Sequence, residues 1–148
     1  MNTSASSRNM DVHFSAQTSV WPTPDELFNK LNAEFGFELD ACCMKENAKC
    51  AKYFTPDEDG LLQNWFGVVW CNPPYGNAIA DWAEKAYRES FNGATTVMLL
   101  PVRTDTRWFH AWILGKAEIR FLKGRLKFGE AVNNAPFPSM VVVFRSKL

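Results

Sequence analysis

Apolar residues follow two alternating periods along the chain. Leu27, Phe28, Leu31 and Phe35 recur at helical spacing. Thr23-Pro24-Asp25-Glu26 precedes them, so the pattern predicts Thr23 as N-cap, Pro24 at the first helical position and Glu26 completing a capping box. Gly36 ends this helix. Phe37 to Asp40 reads as a short strand closing on an acid. Lys45 to Lys52 reads as a polar helix, Tyr53-Phe54 as a short strand, and Pro56 to Asn64 as a short helix behind a second Thr-Pro-Asp-Glu signature. Val68 to Cys71 is a strand-type apolar run. Ile79, Trp82, Ala83, Ala86 and Tyr87 mark one face of a helix that Asn92-Gly93 terminates. Thr95 to Leu100 is continuously apolar, as expected of a central parallel strand. A helix follows over Asp105 to Leu114, with Trp108, Phe109, Trp112 and Ile113 inward and Gly115 at its end. Ala117 to Leu122 and Arg125 to Phe128 alternate around Lys123-Gly124 as a hairpin or bend. Val132 to Pro138 reads as a loop, and Met140 to Phe144 as a last buried strand.

Strands and helices alternate, which predicts an α/β fold with helices on both faces of the sheet. Only about 30 residues separate Asp40 from Asn72, too few for two full βα units, so the sheet is abbreviated there. Residues 1–20 are small and polar and are expected to be a mobile arm; residues 21–148 are expected to be a single domain. No apolar run reaches the length of a membrane span and no signal-type segment opens the chain, so no membrane association is expected. Cys42, Cys43, Cys50 and Cys71 lack metal-site spacing and only two histidines accompany them. Free thiols in a reducing cytoplasm, without a metal, are the expectation.

Net charge is zero, but its distribution is not even. Residues 1–100 hold 7 Lys/Arg against 13 Asp/Glu, and residues 101–148 hold 9 against 3. A basic face built from the C-terminal third would track phosphates, with Arg120, Lys123, Arg125 and Lys127 exposed on the hairpin. The alternative is ordinary solvated charge.

The chemistry concentrates where the Val68 to Cys71 run ends in Asn72-Pro73-Pro74-Tyr75-Gly76. Two prolines remove two backbone donors and hold the residues before them extended, giving a rigid loop at a strand's carboxyl end. In open α/β sheets ligands bind at that edge. Asn72 and the Pro73 carbonyl can both accept hydrogen bonds from an exocyclic amino group, leaving its nitrogen lone pair free to attack an electrophile. Tyr75 can stack on the ring that bears the group. Asp40 and the Pro101 to Thr106 loop are expected on the same edge, where Arg103, Asp105 and Arg107 are placed to meet a base or phosphates; helix capping and surface charge are the plainer roles. The helix start at Thr23-Pro24 is a candidate anion anchor.

With these residues in view, the stretch from Trp21 to Phe144 resembles the small phage-type DNA adenine-N6 methyltransferases, a Dam-like family. The resemblance rests on Trp21-Pro-Thr-Pro, Phe37-Glu-Leu-Asp-Ala-Cys, Trp70-Cys-Asn-Pro-Pro-Tyr-Gly, Leu99-Leu-Pro-Val-Arg-Thr-Asp-Thr-x-Trp-Phe-His and Lys123-Gly-Arg-Leu-Lys-Phe. It implies a Rossmann-like S-adenosylmethionine-dependent sheet, double-stranded DNA as substrate, and a phage or prophage protein in a bacterial cytoplasm. Catalysis would centre on Asn72, Pro73, Pro74 and Tyr75. S-adenosylmethionine would be held by Trp21, Thr23, Pro24, Asp40, Ala41, Cys42 and Asn72, and DNA by Arg103, Arg107, Lys123, Arg125 and Lys127. The family's acid is normally followed by a Gly-rich turn. No glycine follows Asp40 before Gly60, so Ala41 and Cys42 are expected to permit the close approach. Phe54, Asp57 and Asp59 are candidates for the ribose or adenine. Methylation of RNA adenine or protein glutamine, or a non-catalytic DNA-binding relic of the fold, are the alternatives.

Overall fold

A computed structural model describes residues 21–129 and 133–148. The arm expected at residues 1–20 and the first residue of the Val132 to Pro138 loop lie outside the described residues. Helix α1 spans Asp25–Phe35 and is followed by strands β1 (Leu39–Asp40), β2 (Lys52–Tyr53) and β3 (Val68–Cys71). Helix α2 (Ile79–Ser90), β4 (Thr95–Pro101), a π-helical turn (Phe109–Ile113), β5 (Glu118–Phe121) and β6 (Ser139–Phe144) complete the chain.

The six strands form one sheet in the order β2-β1-β3-β4-β6-β5. The first four in that order are parallel, and β6 and β5 close the sheet antiparallel. Alternation along each central strand divides the core. Val69, Cys71, Met98, Leu100, Met140, Val142 and Phe144 face α2 and the π-turn. Trp70, Val97, Leu99, Val141 and Val143 face α1 through Phe28 and Leu31. Both faces of β4 and β6 are buried, which is why their sequences are apolar without alternation. The expected α/β sheet with helices on both faces is present. It is abbreviated at the β2-β1 side, where each strand has two residues.

Gly36 ends α1 with φ +69, and Gly93 follows α2 with φ +102, as their positions predict. Other local expectations give way to tertiary contacts. Thr23 does not cap α1: Pro24 occupies the N-cap, no side chain caps the helix, and the Thr23 hydroxyl is turned to Asn72 instead. Residues 45–52 form only a 3₁₀ turn at Lys45–Asn47 before β2. The Thr55 capping signature is made, with Glu58 Oε1 accepting from Thr55 N at 2.9 Å, but no α-helix follows. Asp59 adopts φ +58 and breaks the run, leaving a 3₁₀ turn at Gly60–Leu62. The helix expected over Asp105 to Leu114 is widened: its core is the π-turn, closed by Leu114 N donating to Phe109 O at 2.9 Å. Residues 125–128 are not a strand. β5 pairs instead with β6, from Glu118 opposite Val143 to Phe121 opposite Met140. Residues 122–129 lead from β5, where Leu122 N donates to Ser139 O at 3.0 Å, to the Trp21–Pro22 segment, where Gly129 N donates to Pro22 O at 3.1 Å.

Candidate active site

The parallel strands β1, β3 and β4 place Asp40, Asn72 and Pro101 at one sheet edge. Two cavities open there. One, of about 430 Å³, is lined by the Trp21–Thr23 segment, by Asp40, Ala41 and Cys42 after β1, and by Asn72, Pro73 and Pro74 after β3. The other, of about 640 Å³, lies across the Asn-Pro-Pro-Tyr loop and is lined by Tyr75, Asn77, Arg103, Arg107, Trp108 and Phe137. The loop after β3 thus forms part of the wall of both.

Asn72 is fixed by contacts far away in sequence. Its Nδ2 donates to the Trp21 carbonyl at 2.6 Å and to Thr23 Oγ1 at 3.0 Å. Its Oδ1 is buried and has no partner. The described residues contain two other such orphaned side-chain atoms, on Thr96 and Ser139, and neither residue lines these cavities. An acceptor left buried and unpaired costs about 1–3 kcal/mol. An arriving N–H donor would relieve that cost.

Tyr75 donates its hydroxyl to Leu99 O at 3.1 Å, which ties the loop to β4. Its ring meets Phe137 at 5.6 Å and Phe128 at 6.4 Å, both edge-on. Phe128 and Phe137 also pack edge-on against Trp21. Gly129 N donates to Pro22 O at 3.1 Å, joining the 122–129 segment to the Trp21 side of the site. Burial pushes the Tyr75 phenol far above its ordinary range, with the neighbouring Cys71 adding to the effect, so the ring stays neutral.

Asp40 is 2% exposed. Its Oδ2 accepts from Lys49 N at 2.9 Å and its Oδ1 from Cys42 N at 3.3 Å. Burial outweighs these donors and raises the carboxyl from 3.8 to about 6. The same burial pushes Cys42 up to about 12 and Cys50 up to about 11, and raises Cys43 and Cys71 strongly, with Asp40's charge adding to each. These thiols are neutral at physiological pH and make poor nucleophiles or metal ligands. Among the described residues, no group of three or more His, Cys, Asp or Glu side chains could hold a metal ion. No helix among them is long and apolar enough to cross a membrane.

A glycine from elsewhere in the chain packs on the turn after Asp40. A Cβ on Gly60 would lie 2.2 Å from the Ala41 carbonyl oxygen and 3.1 Å from the Trp82 ring. Gly60, 19 positions on, thus packs directly on the Ala41 backbone of the turn after β1. Lys49 is a second residue whose role no local pattern announces. Its backbone holds Asp40, its side chain lines the smaller cavity, and its Nζ pairs with Asp25 Oδ1 at 3.3 Å.

Of the residues expected around a cofactor, Trp21, Thr23, Asp40, Ala41, Cys42 and Asn72 line the smaller cavity; Pro24 does not. Phe54 and Asp59 line it too, whereas Asp57 does not. Arg103 and Arg107 are exposed at the larger cavity. Lys123, Arg125 and Lys127 line neither and sit on the 122–129 segment, whose Leu126 and Phe128 turn inward. Arg120 is not free to join them: it forms a two-pronged pair with Glu34 at 2.7 Å for each contact and a third bond to Glu118 at 2.7 Å. His110 Nε2 lies 2.7 Å from Thr104 O, a structural contact.

Comparison with known proteins supplies the family. A profile of the DNA N-6-adenine-methyltransferase (Dam) family matches residues 13–147. A DNA N-6-adenine-methyltransferase of Haemophilus phage HP1 is 31% identical over 137 residues, covering 86% of this chain and 79% of that protein. The DNA N-6-adenine-methyltransferase of Escherichia phage T1 is 32% identical over 115 residues, covering 75% of this chain and 48% of that protein. The chain belongs to the DNA N-6-adenine-methyltransferase (Dam) family.

Proposed function

We propose that the protein transfers a methyl group from S-adenosylmethionine to the exocyclic N6 of an adenine turned out of double-stranded DNA. The observation that carries this reading is Asn72 Oδ1, a buried acceptor without a partner in the loop between two cavities. The family and its phage relatives support DNA as substrate and the cytoplasm of a bacterial host as the place of action.

The smaller cavity fits the cofactor. Asp40 offers a carboxylate to an ammonium or to ribose hydroxyls, while Phe54, Trp82 and Pro74 give it apolar walls. Asp59 is the second acid at its wall and the candidate partner for the remaining ribose or adenine contacts. When bound, S-adenosylmethionine supplies an electrophilic methyl on a sulfonium. The chain's own part is to orient the acceptor. Asn72 Oδ1 and the Pro73 carbonyl receive the two amino hydrogens of adenine, which directs the nitrogen lone pair away from them. Extruding the base costs a few kcal/mol. Tyr75 offsets this by stacking, worth about 1–3 kcal/mol per base. Alignment supplies most of the acceleration, and no general base is needed because the proton leaves after attack. Arg103 and Arg107 contact the flipped nucleotide's surroundings, while Lys123, Arg125 and Lys127 meet phosphates. Gly60's close packing on the Ala41 backbone keeps the turn after Asp40 compact beside this cavity, which supports the catalytic reading over a non-catalytic relic.

The test is transfer of labelled methyl from S-adenosylmethionine to unmethylated duplex DNA, followed by digestion to nucleosides. Label in N6-methyladenine that vanishes with Asn72→Ala is the expected result. Cofactor binding without transfer to DNA, but with transfer to RNA or protein glutamine, would overturn the substrate.

A further inference from the structure

The orientation of the Asn72 side chain is set by a residue pair 49 to 51 positions away. Both amide hydrogens are used, one by the Trp21 carbonyl and one by Thr23 Oγ1. A carbonyl oxygen can only accept, so Trp21 O selects the NH₂ end of the amide. Rotating the amide by half a turn would set Oδ1 against Trp21 O, two acceptors at the 2.6 Å now spanned by a hydrogen bond. It would also point a donor where the buried Oδ1 now stands without a partner. The Thr23 hydroxyl, which can donate or accept, adds a second bond and locks the plane.

The holding segment is itself held. Thr23 is buried, the Trp21 ring is packed by Phe128 and Phe137, and Pro22 O is bound by Gly129 N. Thr23 is free for this task because it does not cap α1.

We infer that Trp21 and Thr23 are positioning residues of the transfer reaction, fixing the Asn72 amide with its oxygen toward the substrate's amino group. This rests on the reading of Asn72 as acceptor for that group. Thr23 acts through Asn72 and contributes to turnover even where cofactor binding is unchanged. A second consequence is specific to this chain. An acid at position 72 keeps an acceptor for the substrate, but its other oxygen must face the Trp21 carbonyl. Asn72→Asp is therefore not a conservative change here.

Steady-state transfer to unmethylated duplex DNA at pH 8 is measured for the wild type, Thr23→Val, Thr23→Ser, Asn72→Asp and Asn72→Ala. S-adenosylmethionine binding by calorimetry and thermal unfolding are measured on each. Thr23→Val, which keeps shape and removes the hydroxyl, is expected to lower kcat about three- to tenfold, the worth of one hydrogen bond. KM for the cofactor should stay within about twofold, and Thr23→Ser should restore kcat to within about twofold of wild type. Asn72→Asp is expected to lose about tenfold or more in kcat while still binding cofactor. A rise in KM alone for Thr23→Val, or no rescue by Ser, would mean that Thr23 serves only the cofactor or the fold. Asn72→Asp turning over at the wild-type rate would show that Trp21 O does not select the amide. Either result overturns the inference and leaves the reaction centre standing, provided Asn72→Ala is inactive. An active Asn72→Ala would overturn both.

Discussion

Asp40→Asn isolates the cost of keeping a carboxylate in the cavity wall, and the sign of its effect follows from burial. In the folded protein Asp40 titrates near 6, raised from 3.8 chiefly by desolvation. Between pH 6 and 4 the folded state therefore holds a proton that the unfolded chain has already lost. Stability rises as pH falls through this window and is lowest above it, where the buried carboxylate is fully charged. Raising the carboxyl from 3.8 to about 6 corresponds to about 3 kcal/mol in full, and to about 2–3 kcal/mol between pH 7 and pH 4. Asn cannot titrate. It keeps one acceptor for Lys49 N or Cys42 N and leaves the other donor short, a pH-independent penalty of about 1 kcal/mol. Urea unfolding of wild type and variant at pH 7 and pH 4 gives the comparison. Other carboxylates, including Glu34 and Glu118 held below their usual range by Arg120, titrate in both proteins and cancel in the difference. The difference should move about 2–3 kcal/mol in favour of the wild type on acidification. A difference constant with pH would refute the burial argument. Cofactor binding tests the other half of the reasoning. If Asp40 anchors S-adenosylmethionine as a carboxylate, Kd rises about tenfold per pH unit below 6 in the wild type and stays flat in Asp40→Asn. Equal and pH-independent affinities would remove Asp40 from the cofactor site.

Gly60→Ala places a Cβ against the Ala41 backbone and the Trp82 ring; it should cost about 1–3 kcal/mol in unfolding free energy and weaken cofactor binding in calorimetry, with DNA affinity unchanged. Tyr75→Phe removes the bond to Leu99 O but keeps the ring, so a loss of about 1 kcal/mol in stability with kcat within about threefold is expected, whereas Tyr75→Ala should abolish measurable transfer. Replacing Lys123, Arg125 and Lys127 together by Gln should lower the salt dependence of DNA binding, its logarithmic slope falling by about one for each phosphate left without a cation, read from titrations at several salt concentrations. Arg120→Gln should leave that slope unchanged, because its guanidinium is held by Glu34 and Glu118. Lys85→Ala leaves the buried Glu89, now paired at 2.7 Å, without its cation and should cost about 3 kcal/mol in denaturant unfolding.

What was legible in the sequence is what short-range chemistry enforces. Two prolines after a strand-type run dictate the loop at Asn72 whatever surrounds it, and continuous apolar runs dictate strands buried on both faces at β4 and β6. Helix ends at Gly36 and Gly93 are likewise local. Failures occur where a side chain has a better partner elsewhere. Thr23 reads as a helix cap because only its neighbours are visible in sequence; in the fold its hydroxyl binds an amide 49 positions on. Residues 125–128 read as a strand from alternation, which a segment with Leu126 and Phe128 inward and Lys127 outward shows equally well without a ladder partner. Arg120 reads as a free cation because Glu34 is 86 positions away.

The same distinction explains how the site is put together. The Asn72–Tyr75 loop is locally specified, but what orients Asn72, brings a glycine onto the Asp40 turn and covers Tyr75 all comes from other parts of the chain. Each of these contacts touches the carboxyl ends of the parallel strands, where backbone groups leave the ladder and accept new partners. An orphaned Asn72 oxygen in this setting is a consequence of the amide's other end being held twice. The fold therefore holds a buried acceptor unpaired at a standing cost, and a ligand that relieves it must bring a hydrogen-bond donor. An exocyclic amine meets that demand and a ring lacking the amine does not, so 2-aminopurine and purine substituted at the target adenine should separate amine position from base shape. Transfer confined to the 6-amino base is the outcome that ties the orphaned oxygen to the reaction.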